Sequence, residues 1–264
     1  MHINSFDHYQ THESVIHRLD ARVKIILTII LIISNALLPD GAWTAFMLTW
    51  GLVLGASLLA KIQFLFLATR SLVVMPFALA AITVIFSIPG HALGTIQLGN
   101  WQVVVTEPGL LRFASIMIRS WVSVQMAILL TATTTTPDLI HAMRHLRVPD
   151  ILVATISFMY RYLFVLSDEA LRLLRAREAR SAALDNQRKH HTKLRWRIKV
   201  AGNMAGQLFI RSYERSERVY NAMLARGYQG TLQTLNPHEM KTKDWMMGSI
   251  VILALVLLQI ITHR

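Results

Sequence analysis

The sequence predicts an all-α, polytopic membrane protein with about five transmembrane helices and long amphipathic helices on the cytoplasmic side. Of its 264 residues, 53% are hydrophobic and the mean hydropathy is +0.42, which is too apolar for an ordinary soluble domain of this length. Several apolar segments approach the length of about 20 residues that a spanning helix needs. The basic residues are unevenly distributed, because 19 of the 27 Lys and Arg fall within residues 134–244.

The first apolar segment is short, and we expect Arg22 and Lys24 to extend it by reaching the membrane interface with their long side chains. Pro76 should bend the third segment because it removes a backbone donor. In the fourth, Arg119 is predicted to face the bundle interior with a partner, since a lipid-facing arginine is costly, while Arg112 reaches the interface. The five segments are residues 23–38, 43–60, 64–88, 110–132 and 245–261.

The charge distribution predicts the orientation of these segments. If all five span, the N-terminal tail, the turn at residues 61–70 and the basic region share one side, which the positive-inside rule makes the cytoplasm. Residues 89–108 then lie outside, and their glycines predict turns and allow a short hairpin. The predicted organisation is an N-terminal membrane bundle (1–133), a cytoplasmic helical region (134–244) and a C-terminal membrane helix (245–264).

Three helices are predicted in the cytoplasmic region. The first begins with Thr136 as N-cap, followed by a proline and an acid, and ends near Arg147. The second begins after Pro149, is apolar over residues 151–166 and becomes basic over 172–180. The third runs from about residue 194 to 226, and the glycine at 227 supplies its C-terminal stop.

The second and third of these helices each end in an arginine between small residues. A guanidinium offers five donors in a fixed fork, which suits carboxylates or helix-end carbonyls of a partner, and small neighbours let the partner approach closely. The pattern therefore predicts two docking sites, although solvated surface charge is the simpler reading, and Arg177 in the competing triplet at 176–178 remains an alternative for the first site. The predicted docking residues are Ala179, Arg180, Ser181, Ala225, Arg226 and Gly227.

Other candidate sites are weaker. His141 and His145 have metal-ligand spacing on a helix, but no acidic third ligand follows and Arg144 and Arg147 repel cations, so we expect a polar helix face and no metal. Asp20 is expected to pair with Arg22 or to cap the first helix. No phosphate-binding loop, His-Glu-x-x-His or Gly-x-Ser-x-Gly pattern occurs in the sequence, so we predict no catalytic residues, no ATP hydrolysis by this chain and no enzyme.

Several motifs together resemble the transmembrane (T) component of energy-coupling factor (ECF) ABC transporters, and most closely the cobalt-type branch. The resemblance covers nearly the whole chain. It implies that two arginine-tipped helices insert into grooves on two cytoplasmic ABC ATPase subunits and relay their motion to a substrate-binding membrane subunit. The motifs are HRLDARVKI (17–25), TTTTPDL (133–139), LRVP (146–149), YRYLFVLSDEA (160–170), RAREARS (175–181) and RSYERSERVYNAMLARGYQG (211–230).

The expected function is thus a non-catalytic coupling subunit in the cytoplasmic (inner) membrane of a bacterium or archaeon, with its N-terminus in the cytoplasm. By resemblance the chain binds no cofactor itself, ATP-Mg resides on the partner ATPases, and cobalt is the favoured cargo ahead of nickel or another micronutrient. One alternative is a self-sufficient secondary transporter, which would need ionisable groups near the bilayer centre or paired broken helices. Another is a nucleic-acid or anionic-lipid binder, which the few aromatics in the basic region disfavour. We expect the lipid bilayer but no nucleic acid as a partner.

Overall fold

The computed structural model describes residues 9–10, 14–98, 101–181, 194–230, 240 and 242–262. Within these residues the chain forms helices and one β-hairpin, and it divides into two compact units. The membrane unit comprises Met1–Leu146 and Asn236–Arg264, and the helix-pair unit comprises Arg147–Leu235. The elements are α1 (Ala21–Ala36), α2 (Trp43–Leu59), α3 (Phe64–Ser71), α4 (Met75–Ala81), α5 (Thr83–Ser87), β1 (Ala92–Leu98), β2 (Trp101–Thr106), α6 (Glu107–Thr133), α7 (Thr136–His145), α8 (Asp150–Ser181), α9 (Leu194–Ala225) and α10 (Thr242–Thr262).

The core of the membrane unit forms around α6, the 27-residue helix that contacts α1, α2, α3 and α5. Helices α1, α2, α3, α6 and α10 contribute apolar side chains to this core, and each exposes other apolar side chains. A helix that is apolar on both its buried and its exposed sides is typical of a bilayer environment. Core residues include Leu31, Val53, Leu67, Val122, Leu129 and Leu255.

Helices of spanning length confirm the predicted all-α, polytopic membrane class. By length and composition, four helices among the described residues could cross a membrane, and Trp43–Leu59 is a shorter apolar helix. One of the four, Asp150–Arg180, belongs to the region that the sequence analysis placed in the cytoplasm. Its first half is apolar enough for a membrane span, while its last turns are basic. The other three are Phe64–Ser87, Glu107–Thr133 and Asp244–Thr262.

The third apolar segment is interrupted, as Pro76 predicts. A 3-10 turn at Leu72–Val74 separates α3 from α4, and Pro76 lies in the first turn of α4. The indole Nε1 of Trp121 on α6 donates a hydrogen bond to Ser71 Oγ at 2.8 Å, immediately before the interruption. The interruption therefore lies beside a polar contact with the central helix α6.

The predicted hairpin is present. Strands β1 and β2 pair antiparallel, with Gln97 opposite Gln102, and the intervening residues 99–100 lie outside the described part of the chain. The hairpin ends at Thr106, whose hydroxyl donates to the carbonyl of Ile88 at 2.8 Å. A Cβ at Gly109 would lie 2.5 Å from a backbone oxygen of α5, so only glycine allows α6 to start at this distance.

Arg119 has the partner that the sequence analysis predicted. Its guanidinium donates to Asp40 Oδ1 at 2.8 Å and to the carbonyl of Leu38, both in the turn between α1 and α2. Arg112 lies 3.8 Å from the other oxygen of Asp40, and its side chain is more exposed. This network ties the α1–α2 turn to α6.

Asp20 caps α1 as expected, accepting a hydrogen bond from the Arg22 backbone N–H at 2.8 Å. The expectation that Lys24 reaches the membrane interface is wrong. Lys24 is only 7% exposed, and its ammonium donates to the carbonyl of Thr133 at the end of α6. Its side chain points into the membrane unit because backbone carbonyls and carboxylates surround it there.

The start of α7 differs from the predicted one by a single residue. Thr135, and not Thr136, is the N-cap, and its side chain accepts from the Asp138 backbone N–H. The structure assigns α7 to the membrane unit, so the boundary between the two units follows Leu146. Arg147 then adopts a left-handed φ of 62°, and α8 begins three residues later.

Candidate functional site

The candidate site is formed by α8 and α9, the two long helices of the helix-pair unit. Glu169 on α8 links them, because its carboxylate accepts from Arg211 on α9 at 2.6 Å and from Arg172 at 2.7 Å. Near this ion pair, small and apolar side chains of the two helices line a cavity of about 200 Å³. Its residues are Ala170, Leu173, Leu174, Arg177, Ala201, Met204, Ala205 and Leu208.

The C-terminal end of α9 has a defined geometry. The N–H of Tyr228 donates to the carbonyl of Met223, and that of Gly227 donates to Leu224, both at 3.0 Å. With Gly227 at a left-handed φ of 80°, this is a Schellman motif. Arg226 is the C-cap residue of α9, and it is exposed together with its small neighbours Ala225 and Gly227.

The end of α8 also exposes its arginine. Ala179 and Arg180 lie on the surface in the last turn, and Ser181 is the last residue of the helix. Arg177 is half-buried and lines the cavity between α8 and α9. The two candidate arginines of α8 therefore differ: Arg180 is presented to solvent, whereas Arg177 packs within the helix pair.

A large apolar groove lies between α8 and α9. Its volume is about 900 Å³, and Arg215 is the one charged residue among those that line it. Many of its side chains are exposed, including Phe209 at 70%. An exposed apolar surface of this size marks a site of contact with another protein or with the membrane. The lining residues include Phe158, Met159, Tyr162, Phe209, Tyr213, Tyr220 and Met223.

The histidine pair lies on α7 in the membrane unit. The His141 and His145 rings are 5.0 Å apart between centroids. Burial, together with the guanidinium groups of Arg22 and Arg144, lowers the pKa of His145. Among the residues that the structure describes, no group of three or more His, Asp or Glu side chains could hold a metal ion.

Sequence reasoning missed the groove and the Glu169 ion pair. A signal for the groove was present, because Phe158 and Tyr162 on α8, and Phe209 and Tyr213 on α9, are each four residues apart and share a helix face. The partner of Glu169 carried no such signal, since Arg211 is 42 positions away in the chain.

Comparison with known proteins finds relatives that match most of the chain. The chain is 29% identical over 259 residues to Uncharacterized protein MJ1571 of Methanocaldococcus jannaschii, covering 96% of this chain and 85% of that protein. It is 27% identical over 177 residues to Cobalt transport protein CbiQ of Rhodobacter capsulatus, covering 67% and 69%. It is 29% identical over 227 residues to the energy-coupling factor transporter transmembrane protein EcfT of Listeria innocua, covering 82% of each.

The family match covers most of the chain. Residues 12–237 match the family described as Cobalt transport protein (CbiQ), so the matched part includes α1 to α9 and both arginine-tipped helix ends. Together with the apolar helices of spanning length, this match identifies a multi-pass membrane transport component. The chain belongs to the cobalt transport protein family CbiQ.

Proposed function

We propose that this chain is the transmembrane coupling subunit of an energy-coupling factor importer. Two cytoplasmic ATPases dock on the ends of α8 and α9, and a separate membrane subunit holds the substrate. ATP-Mg binds to the ATPases, and this chain contributes no catalytic group. Closure of the ATPase pair moves the two helix ends, and the change in their contacts is passed to the substrate-binding subunit.

The observation that carries the proposal is the closed end of α9. The Schellman motif fixes Arg226 at the helix terminus, and its side chain is exposed between two small residues. A positive charge at a helix C-terminus is also favoured by the helix dipole. This arrangement presents a guanidinium fork to a carboxylate or to helix-end carbonyls of a partner without obstruction by neighbouring side chains.

For α8, exposure favours Arg180 over Arg177 as the docking residue. Arg177 already packs against α9 through the cavity between the helices, so withdrawing it would disturb the pair. Arg180 is exposed, with Ala179 beside it. Arg180 is therefore assigned to one ATPase and Arg226 to the other.

The apolar groove supports the second part of the proposal. A substrate-binding subunit inside the bilayer would present apolar helices, and the groove offers a large apolar surface rich in Tyr, Phe and Met. Met and aromatic side chains adapt to partners of different shape. The groove is assigned to that membrane subunit. Cobalt is proposed as the cargo because the family description and the Rhodobacter capsulatus relative carry the name of cobalt transport.

The alternative function, a self-sufficient secondary transporter, is less well supported. It would need ionisable groups available to a substrate near the bilayer centre. In the described part of the chain, Arg119 is engaged by Asp40 and a backbone carbonyl in a turn between helices. That arginine therefore ties helices together and is not available to a substrate.

The test is co-purification of the two ATPases with this chain in detergent. The variants are Arg180→Ala, Arg226→Ala, the double variant and Arg177→Ala. Arg218→Ala is the matched control, because this arginine is exposed on α9 but pairs with Glu214 within the same helix. A lost charge-assisted hydrogen bond weakens binding by about 1.5–3 kcal/mol, so each docking variant should lose roughly tenfold or more in affinity.

The outcomes separate the interpretations. ATPase recovery that falls in each single docking variant and vanishes in the double variant supports two docking sites. Loss with Arg177→Ala but not with Arg180→Ala would move the first site to Arg177. Full recovery by the double variant would show that these arginines are ordinary surface charge, and the proposed docking mechanism would be wrong.

A further inference from the structure

A buried lysine joins helix ends inside the membrane unit. Lys24, in the first turn of α1, donates to the carbonyl of Thr133 at 3.0 Å and to that of His17 at 3.3 Å. Thr133 is the last residue of α6, so its carbonyl is one of those that find no partner within the helix. A positive charge at this position is also favoured by the dipole of α6. Lys24 thus closes the end of a helix that is 109 positions away in sequence.

Three carboxylates line the same cavity as Lys24. Asp138, Asp20 and Asp244 all attract Lys24 electrostatically. Asp20 is the N-cap of α1, whereas Asp138 and Asp244 lie in the first turns of α7 and α10. Negative charge is favoured at each of these helix N-termini. Lys24 therefore lies where the ends of four helices meet, α1, α6, α7 and α10, and Arg22, 3.8 Å from Asp20, adds a second positive charge there.

We call the cluster of helix ends around Lys24 the junction. It is polar, whereas the core of the membrane unit is apolar. The groups around Lys24 line a cavity of about 260 Å³, to which His17 and His141 also contribute. Two buried atoms that belong to its lining residues, Asp20 Oδ2 and Thr134 Oγ1, have no hydrogen-bond partner among the described residues. Buried charged clusters often stabilise a fold no better than apolar side chains of similar volume. A contribution to stability is thus a weak explanation for this buried charged cluster. The position of the cluster in the chain suggests a different role.

The position of the junction relates it to the helix pair. Helix α7 carries Asp138 and His141 into the cavity and buries Ile140 and Ala142 in the membrane unit. After α7 ends, residues 146–149 lead directly into α8. A force on α8 that passes along the chain toward the N-terminus reaches the bundle through α7, which is the shorter of its two covalent routes, the other running through α9 to α10. A rigid α7 would pass such a movement on, whereas a loose α7 would absorb it.

We propose that Lys24 is a positioning residue for coupling: it fixes α7 against the ends of α1 and α6, so that movement of α8 is transmitted to the membrane bundle. The inference rests on the proposed function, because it requires that α8 is moved by a partner. It makes Lys24 important for transport although it lies outside the docking residues and the apolar groove.

The experiment uses the whole complex, with both ATPases and the membrane substrate-binding subunit, reconstituted in vesicles with Co²⁺ as the probe. The variants are Lys24→Met, Lys24→Arg and Asp138→Asn. Lys61→Met is the matched control, because Lys61 is an exposed lysine of the same unit. Three quantities are measured: ATPase recovery, the rate of ATP hydrolysis and the amount of Co²⁺ taken up per ATP hydrolysed.

We expect Lys24→Met to lower Co²⁺ uptake per ATP by about tenfold, which lies within the usual range of coupling between sites. ATPase recovery should remain close to that of wild type, because Lys24 is not a docking residue. Lys24→Arg, which keeps the charge and the donors, should restore most of the coupling, and Lys61→Met should behave as wild type. Asp138→Asn should lower the ratio in the same direction but less, since two carboxylates remain.

A merely structural role for Lys24 would reduce hydrolysis and uptake in proportion and leave their ratio unchanged, and that result would overturn the inference. A wild-type ratio in Lys24→Met would do the same. If Lys24→Met is not recovered as folded protein, the ratio in Asp138→Asn decides. If the wild-type chain recovers no ATPases, the proposed function fails and this inference fails with it; if docking is intact and only the ratio is unaffected, the inference alone is wrong.

Discussion

Gly227 determines how Arg226 is presented, and replacing it by alanine tests this directly. The residue adopts a φ of 80°, and a Cβ at this position would meet nothing within 4 Å. The cost of Gly227→Ala is therefore confined to the backbone, where a left-handed conformation costs an L-residue about 1–2 kcal/mol. This energy lowers the population of the closed helix end by a factor of about 5–30.

Gly206→Ala is the matched control. Gly206 lies within α9, and a Cβ there also meets nothing within 4 Å, but its backbone is helical. The same substitution should stabilise the helix by about 0.8–1 kcal/mol because alanine has the higher helix propensity. The two glycine-to-alanine substitutions are thus expected to change the stability of the same helix in opposite directions.

The assay is hydrogen exchange at the amides of residues 223–228, combined with ATPase recovery. Gly227→Ala should exchange faster at the end of α9 and recover less ATPase, and Gly206→Ala should do neither. Gly227→Asn should be milder, because asparagine tolerates the left-handed region. Unchanged exchange in Gly227→Ala would refute the reasoning, and so would equal effects at both glycines.

Two further predictions concern stability, measured as the thermal unfolding midpoint in detergent, and a third concerns the contact between α8 and α9, measured by hydrogen exchange. Gly109→Ala should destabilise by about 1–3 kcal/mol through overpacking, whereas Gly51→Ala, with open space around it, should not. Arg119→Gln should cost about 1 kcal/mol, since its ion pair with Asp40 is partly exposed, and Asp40→Asn should add little to it in the double variant. Glu169→Gln should loosen α8 from α9, seen as faster exchange in both helices with an unchanged membrane unit.

Local features of the fold were predictable because their causes are local. Pro76 marks the interruption of the third apolar segment, and Gly227 marks the end of α9. The start of α7 was misplaced by one residue because adjacent threonines offer equivalent caps, and the hydrogen bond between Thr135 and Asp138 decides between them. Such choices depend on side-chain geometry that residue type alone does not determine.

Contacts between distant residues were not predictable in the same way. Lys24 looks in sequence like a lysine that extends a short span, and only the folded chain brings Thr133 and three carboxylates around it. Arg119 was correctly expected to have a partner, but Asp40 could not be identified without the packing of α6 against the α1–α2 turn. The docking arginines were predicted from pattern and resemblance, and they remain predictions until ATPase recovery is measured.

The interrupted third segment has a consequence for how the protein fits its bilayer. Phe64–Ser87 contains 24 residues, which as one straight helix would extend about 36 Å, whereas the hydrocarbon core is about 30 Å thick. The 3-10 turn rises more per residue than an α-helix, so it does not shorten the segment, and the excess length must be taken up by tilting. Because Trp121 attaches the segment to α6 at Ser71, the tilt of the segment is set by its packing against that helix.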